Sequence, residues 1–286
     1  MGRIENMPFN TKAIIVAILI FITVPFGLKW YYNKTHPRYV PLPPREEKTI
    51  TIIPGWNLRQ VADYLVKENV ASTTEVVYAV VGRPAFNYKA FKKEAPDLAL
   101  DLPVLRDKPD SVSYEGYLAP ETYRIYKDTN LADVIKKLVA QRDTQFTGTM
   151  YADIKSSGRS LHEVLTMASI LEEEVKDDAD RAKVADILWR RLQKDWALQV
   201  DSSVHYAIDK TGNVFTTQKE RQVDSLWNTY KFPGLPPSPI CNPGLPSIMA
   251  AIYPEKNEYW YFLSGKDGKM YFAKTLEEHN RNKKYL

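Results

Sequence analysis

Cysteine is nearly missing from this chain. Cys241 is the only one in 286 residues, which excludes an internal disulfide and a cysteine-based metal cluster. Histidine is almost as scarce. His36, His162, His205 and His279 lie far apart, and none shows a metal-ligand spacing such as HExxH. A metal or cofactor enzyme is therefore not expected, although carboxylate-bound ions stay open. There is no long basic run. The net charge of +4 comes from 39 basic and 35 acidic residues, so nucleic acid is not an expected partner. No internal repeat is found, and no small-residue A-x-A site follows the N-terminal apolar stretch to mark a cleavable signal. What the chain does have is apolar mass. It is 44% hydrophobic and 12% aromatic, enough for a sizeable core in one or two domains.

The first part of that mass stands alone. Ala13 to Leu28 is an uncharged run bracketed by Lys12 and Lys29. Its 16 residues give a helix of roughly 24 Å, short of the ~30 Å of a bilayer core. Trp30, Tyr31 and Tyr32 extend it as an interfacial belt, and Lys29 can snorkel. Residues 1–35 are thus expected to be an uncleaved single-pass membrane anchor. Charge does not orient it: Arg3 and Lys12 precede the span, while Lys29, Lys34, Arg38 and Arg45 follow it.

Residues 36–48 are polar and proline-bearing and read as a stiff stalk. Residues 49–110 read as a small βα subdomain. In it a β-branched strand (Thr49 to Ile53) and a Pro54-Gly55 turn precede a helix capped by Asn57, with Leu58, Val61, Ala62 and Leu65 inward. A second helix covers Thr74 to Val81, and 83–113 are irregular. Residues 111–286 carry denser signals. Asn130 caps a helix. Ser160 and Glu163 form a capping box for the next, and Asp180 opens a third. Then FPGLPPSPICNPGLPS places six prolines and two glycines in 16 residues, a rigid loop that can be neither helix nor central strand. A short helix, Ile248 to Ile252, and a hairpin of Tyr259–Phe262 against Met270–Phe272 follow. The fold class expected is α+β, behind an N-terminal transmembrane helix.

The helix opened by Ser160 ends in three acids, Glu172, Glu173 and Glu174. At ~100° per residue its inward face centres near Val164, Ala168 and Val175. Glu172 falls close to that face, where an unpaired carboxylate is costly. Glu173 points away, to solvent. Glu174 lies on the flank, at the border of apolar surface. Such a border raises a carboxyl pKa by desolvation, which suits a general acid. Periodicity alone leaves both readings open, a solvated acidic helix end or an active-site carboxyl.

Six stretches carry a resemblance: YEGYLAPETY (114–123), TMASILEEE (166–174), DRAKVADILWRRL (180–192), LQVDSSVHY (198–206), the segment from Leu226 to Pro254, and TLEEHN (275–280). In this order they resemble the MltG-like (YceG-like) endolytic murein transglycosylases. The resemblance implies a catalytic domain at 111–286, a LysM-like character for 49–110, and peptidoglycan glycan strands as substrate outside the cytoplasmic membrane. It also makes peptidoglycan synthases candidate partners. The family's catalytic acid is the second glutamate of ASI-x-E-x-E, which falls on Glu174, with Glu172 as a supporting acid. One carboxyl would then protonate the bond between N-acetylmuramic acid and N-acetylglucosamine. The same carboxyl would take the C6 hydroxyl proton as a 1,6-anhydro ring closes, without the second carboxylate of two-acid glycosidases.

Other residues carry weaker readings. Gln199 and Asp201 match the family's LQ-x-D, and Asp201 is a cleft carboxylate or a loop cap. Asn228 and Tyr230 match NTY and are sugar-binding or turn-forming. Tyr117 and Tyr123 read as packing residues with a polar tip. Glu115 is a site candidate expected to pair with a nearby base. His279 and Asn280 fasten the terminus, and Cys241 is a small buried residue. The rigid segment Pro233 to Pro246 is expected to wall the cleft opposite Glu174. Three departures from the family stand out. Asp201 is followed by Ser202 where members usually have proline, the hairpin reads Gly268-Lys269-Met270 where they often carry histidine, and an additional LysM-like unit of longer members has no counterpart. Two rival readings remain: a muramidase-type hydrolase using Glu174 and Asp201, and a non-catalytic peptidoglycan-binding or divisome-scaffold protein.

Overall fold

A computed structural model describes residues 9–36, 44–211 and 216–286. It divides into two units, Met1–Arg45 and Glu46–Leu286. The first unit holds one helix, α1 (Phe9–Thr35), which runs unbroken through Pro25. Its stretch Lys12–Thr35, with a mean hydropathy of 2.2, is long and apolar enough to cross a membrane. A signal sequence would meet the same description. The stalk expected over 36–48 lies mostly outside the described residues. Its last two, Glu47 and Lys48, belong instead to a strand.

In the second unit that strand, β1 (Glu47–Thr51), pairs antiparallel with β2 (Thr122–Tyr126), Ile50 opposite Tyr123. Between them stand α2 (Leu58–Lys67) and α3 (Thr74–Val81). The start of α2 is a capping box: the Asn57 side chain accepts from Arg59 and Gln60, and Gln60 returns a bond to the Asn57 N–H. Leu58, Val61, Ala62 and Leu65 turn inward as their spacing predicts. The boundary expected at 110/111 needs correction. It separates β1 from its partner β2, and residues on both sides of it belong to one hydrophobic core.

The helices α4 (Leu131–Thr144) and α5 (Gly148–Ser156) lead to α6 (Leu161–Glu174). The Ser160–Glu163 capping box is present. From Leu161 to Leu171 every residue but Glu163 is buried, so α6 is a central helix rather than an amphipathic surface one. It is followed by α7 (Asp178–Gln193) and α8 (Asp201–Ile208), then by α9 (Leu245–Ile252). The cap of α7 is Asp177, three residues before the expected start. The chain closes with β3 (Tyr261–Ser264) against β4 (Met270–Ala273) and with α10 (Leu276–Asn282). Leu165 has no solvent exposure, and truncating it to alanine would cost about 2–5 kcal/mol. The α+β class holds, with two small two-stranded sheets among helices.

The proline-rich stretch straps α6. Ser169, fully buried, accepts the Ile240 N–H on its hydroxyl at 3.0 Å and the Cys241 thiol on its carbonyl at 3.4 Å. Pro239 packs so closely on Gly116 that a Cβ there would sit 2.4 Å from it, and Gly116 has φ +84° besides.

Candidate active site

Where α6 runs out, a cavity of ≈ 1230 Å³ opens. Its walls are the turn after β1 (Ile53 to Asn57), the segment Leu198–Ser202, Tyr230 and the β3 strand, with Glu173 and Glu174 facing inward. Gly55 has φ +85°, and a Cβ on it would lie 3.2 Å from Glu173 Oε1, so this turn approaches the acids only because it carries glycine.

Glu174 is half-buried at the last position of α6. Its Oε1 accepts the Ser202 hydroxyl at 2.6 Å and the Ser202 N–H at 3.2 Å. Ser202 is in the first turn of α8, whose N-cap Val200 has no side chain able to cap. Glu174 therefore caps α8 from another helix. Burial pushes the Glu174 pKa up, the two Ser202 bonds pull it down, and nearby Asp201 adds to the rise. The balance lies above the ordinary carboxylate value.

Asp201 lies beside it. Its Oδ1 accepts the Tyr230 hydroxyl at 2.6 Å and Arg221 Nη2 at 3.5 Å, and Arg221 stacks 4.6 Å over the Tyr230 ring. Burial and Asp201 raise the Tyr230 phenol well above its usual range. Gln199, held at φ +54° with its N–H on Thr229, also lines the cavity. Asn228 does not reach it. This fully buried side chain donates to the carbonyls of Arg221 (3.0 Å) and Val223 (2.9 Å) and accepts the Tyr230 N–H at 3.1 Å. These bonds build the turn that presents Tyr230.

Glu115, Tyr117 and Glu172 stand apart from the cavity. Glu115 has no solvent exposure and, among the described residues, no salt bridge, although the charge of Arg59 acts on it. Its partners are neutral: the Leu58 N–H at 3.0 Å, the Tyr206 hydroxyl at 2.9 Å and the Asn242 amide at 3.4 Å. Burial outweighs these donors and pushes its pKa up to about 8. Tyr117 is fully buried and bonds His162 Nδ1 at 2.8 Å, while His162 Nε2 meets the Pro237 carbonyl at 2.8 Å. Glu172 accepts the Gly244 N–H at 3.0 Å and the Ser247 hydroxyl at 2.6 Å, which caps α9.

Several residues escaped sequence reasoning. Glu173 is exposed as expected, yet it borders the cavity. The protein around its carboxyl, with Glu174 and Glu172, pushes its pKa up to about 7, a rise that its access to water moderates. Asn242 ties two other segments, 115–118 and the turn at Trp56, to its own. Its Oδ1 accepts from Gly116 (3.0 Å) and Leu118 (3.1 Å), and its Nδ2 donates to Trp56 and Glu115. The only sequence signal was an asparagine amid prolines. Of the rigid segment Pro233 to Pro246, Ile240 alone lines the cavity, so that segment supports α6 more than it walls the cleft. His279 borders the cavity too, stacked on Tyr261 at 5.4 Å.

The YceG-like family model matches residues 38–285. An endolytic murein transglycosylase of Bacillus subtilis (strain 168) is 38% identical over 239 residues, covering 83% of this chain and 65% of that protein. One from Streptococcus pneumoniae serotype 2 is 33% identical over 245 residues, covering 82% of this chain and 44% of that protein. The match thus spans somewhat under two thirds of the first relative and under half of the second. The crystal structure of a yceG-like protein from Listeria monocytogenes superposes with a TM-score of 0.67 at 36% identity, over 84% of this chain and 76% of the other.

Proposed function

The chain belongs to the YceG-like family, and from that membership and its cleft we propose that it is a membrane-anchored endolytic peptidoglycan lytic transglycosylase, with Glu174 as single acid and base. The observation that carries this reading is the Glu174 carboxyl on the wall of a large cavity, its pKa raised by burial and its Oε1 fixed by Ser202. A general acid needs this: protonated when the substrate arrives, and aimed.

Glu174 first gives its proton to the oxygen linking N-acetylmuramic acid to N-acetylglucosamine. The bond to the muramoyl C1 breaks, and the sugar gains oxocarbenium character. The carboxylate so formed then takes the proton of the muramoyl C6 hydroxyl, whose oxygen closes on C1. The acid is regenerated, no water is consumed, and the product ends in 1,6-anhydro-muramic acid. Asp201, its Oδ1 occupied by Tyr230 and Arg221, borders the cleft and tunes Glu174 through its charge. Gln199 and Tyr230 are the polar groups offered to sugar hydroxyls. The helix α1 anchors the enzyme, with residues 46–286 on the outer side of the cytoplasmic membrane. The order β1–α2–α3–β2 supports the LysM-like reading of the segment before the catalytic part.

The test is digestion of purified murein sacculi by the full-length chain in detergent micelles, read by mass spectrometry. Anhydro-ended strands are expected. Products one water heavier would make it a hydrolase, and binding without release would make it a scaffold. Glu173→Gln is the control: it removes the neighbouring cavity carboxyl and should leave cleavage within a few-fold of normal. If that variant is inactive instead, the acid is Glu173.

A further inference from the structure

Two hydrogen bonds from one residue converge on Oε1 of Glu174. They come from the hydroxyl and the backbone N–H of Ser202, at 2.6 and 3.2 Å. Among the described residues Oε2 accepts none, so it is the oxygen left for the cavity. Ser202 belongs to α8 and Glu174 to α6, so the contact also sets the position of the carboxyl relative to Asp201 and Tyr230.

We propose that Ser202 is a positioning residue for the acid: it clamps Oε1, favours the ionised carboxylate and turns Oε2 to the glycan. This rests on Glu174 being the acid. A hydrogen bond to a carboxylate stabilises the charged form and lowers its pKa. Here it works against burial and against Asp201, which both raise it. The other titratable or charged groups around the carboxyl are Tyr230 and Glu173, with Arg221 held on Asp201, and along the cavity wall Lys176, Arg191, His205, Asp209, Lys210, Lys266, His279 and Lys283. None of these is altered by a change at Ser202. The consequence is a pH effect of definite sign. The acid acts only when protonated, so cleavage falls as pH rises through its pKa. Ser202 lowers that pKa and so pulls the alkaline limb of the rate profile to lower pH. Without the hydroxyl the limb moves to higher pH.

The experiment is the pH profile of anhydro-strand release from sacculi by the full-length chain in detergent micelles, with a melting curve for each variant. In Ser202→Ala the alkaline limb should move up by about one pH unit, the value of one charge-assisted hydrogen bond. Ser202→Thr keeps the hydroxyl and should stay on the unmodified limb. Ser202→Pro, tolerable in the first turn of a helix, removes both donors and should move the limb at least as far as alanine does. It carries the same test should Ser202→Ala lose its cooperative melting. Glu174→Gln separates the two claims. If that variant is dead while Ser202→Ala is stable and shares the unmodified limb, the clamp is refuted and the acid stands. If Glu174→Gln still cleaves, both fall.

Discussion

Two carboxyls leave the last turn of α6 and meet the first turns of two different helices. Glu172 goes to α9, where it holds Gly244 and Ser247. Glu174 goes to α8, where it holds Ser202 twice. Neither recipient helix caps itself, since Val200 and Gly244 make no side-chain cap bond. Glu115 does a similar service for α2, on the Leu58 N–H. The local chemistry of the three is nearly the same: a carboxylate on the orphan donors and positive dipole end of a helix. They differ in what lies on the other side. Glu115 and Glu172 face protein, and only Glu174 also faces a cavity. Nor does a raised pKa mark the site. Glu115 shares that shift with Glu174 and is sealed in the core. In the proposed reading, access is what separates the reagent from the two caps.

The sharpest way to break the comparison is Glu174→Gln. The amide keeps the size of the side chain and one oxygen for Ser202, but it can neither give the acid proton nor take the C6 proton. Strand cleavage should fall by ~10²–10⁴-fold or more. The melting temperature should stay level, because one cap bond survives and a partly desolvated charge is removed. Sacculus digestion and a melting curve on the same preparation check both halves. A variant with near-normal release would place the acid elsewhere.

Glu115 should behave in the opposite way, with a large effect on stability. Glu115→Ala leaves the Leu58 N–H, the Tyr206 hydroxyl and the Asn242 amide short of an acceptor in a buried site. Each donor left unpaired costs ~1–3 kcal/mol, so a fall of roughly 10 °C or more in melting temperature is expected for a unit of this size. The pH dependence has a definite sign as well. Its folded pKa, about 8, lies above the ordinary 4.5, so the folded state holds the proton more tightly than the unfolded one. Stability from this group is complete below pH 4.5 and is lost as pH rises toward 8. Glu115→Gln cannot titrate and should flatten that part of the melting-temperature curve. An unchanged slope would mean that Glu115 is not the group responsible.

The sequence was most legible where structure is local. The caps at Asn57, Asn130 and Ser160 each bond a backbone N–H within three residues, and all three are present. The inward lean of Glu172 was likewise readable from helix period. What escaped depends on contacts between distant segments. The strand β2 is a modest TYRIY whose partner lies more than seventy residues earlier, Thr51 against Thr122. The helix α8 opens on Val200, which carries no capping signal, because its cap is Glu174, 28 residues before Ser202. Periodicity sent Glu173 to solvent and could not foresee the glycine turn at Gly55 reaching over it. Asn228 was read for sugar because its side chain is polar, and only the fold shows that every donor and acceptor on it is already committed to a turn. The proposal of Glu174 as the acid rests on the family resemblance; helix geometry alone narrows it only to a carboxyl at the border of the core.

The smallest effect belongs to Glu172, and it tests the comparison from the other side. Its Oε2 takes both bonds from the start of α9, a helix of only eight residues packed against α6. Glu172→Gln keeps an oxygen for one of these donors and loses the charge that favours the helix N-terminus. Capping substitutions cost ~0.5–2 kcal/mol, and the charge–dipole part is ~0.3–1 kcal/mol. About 1 kcal/mol is therefore expected, a drop of roughly 2–4 °C in melting temperature. Cleavage per folded molecule should change less than tenfold, because Glu172 does not line the cavity and the Glu174–Ser202 contact lies at the other end of the same turn. The two readouts must move apart: a modest thermal shift with retained anhydro-strand release marks a cap. If Glu172→Gln melts normally and is catalytically dead, the roles of the two glutamates are exchanged, and the cavity contact of Glu174 is the structural one.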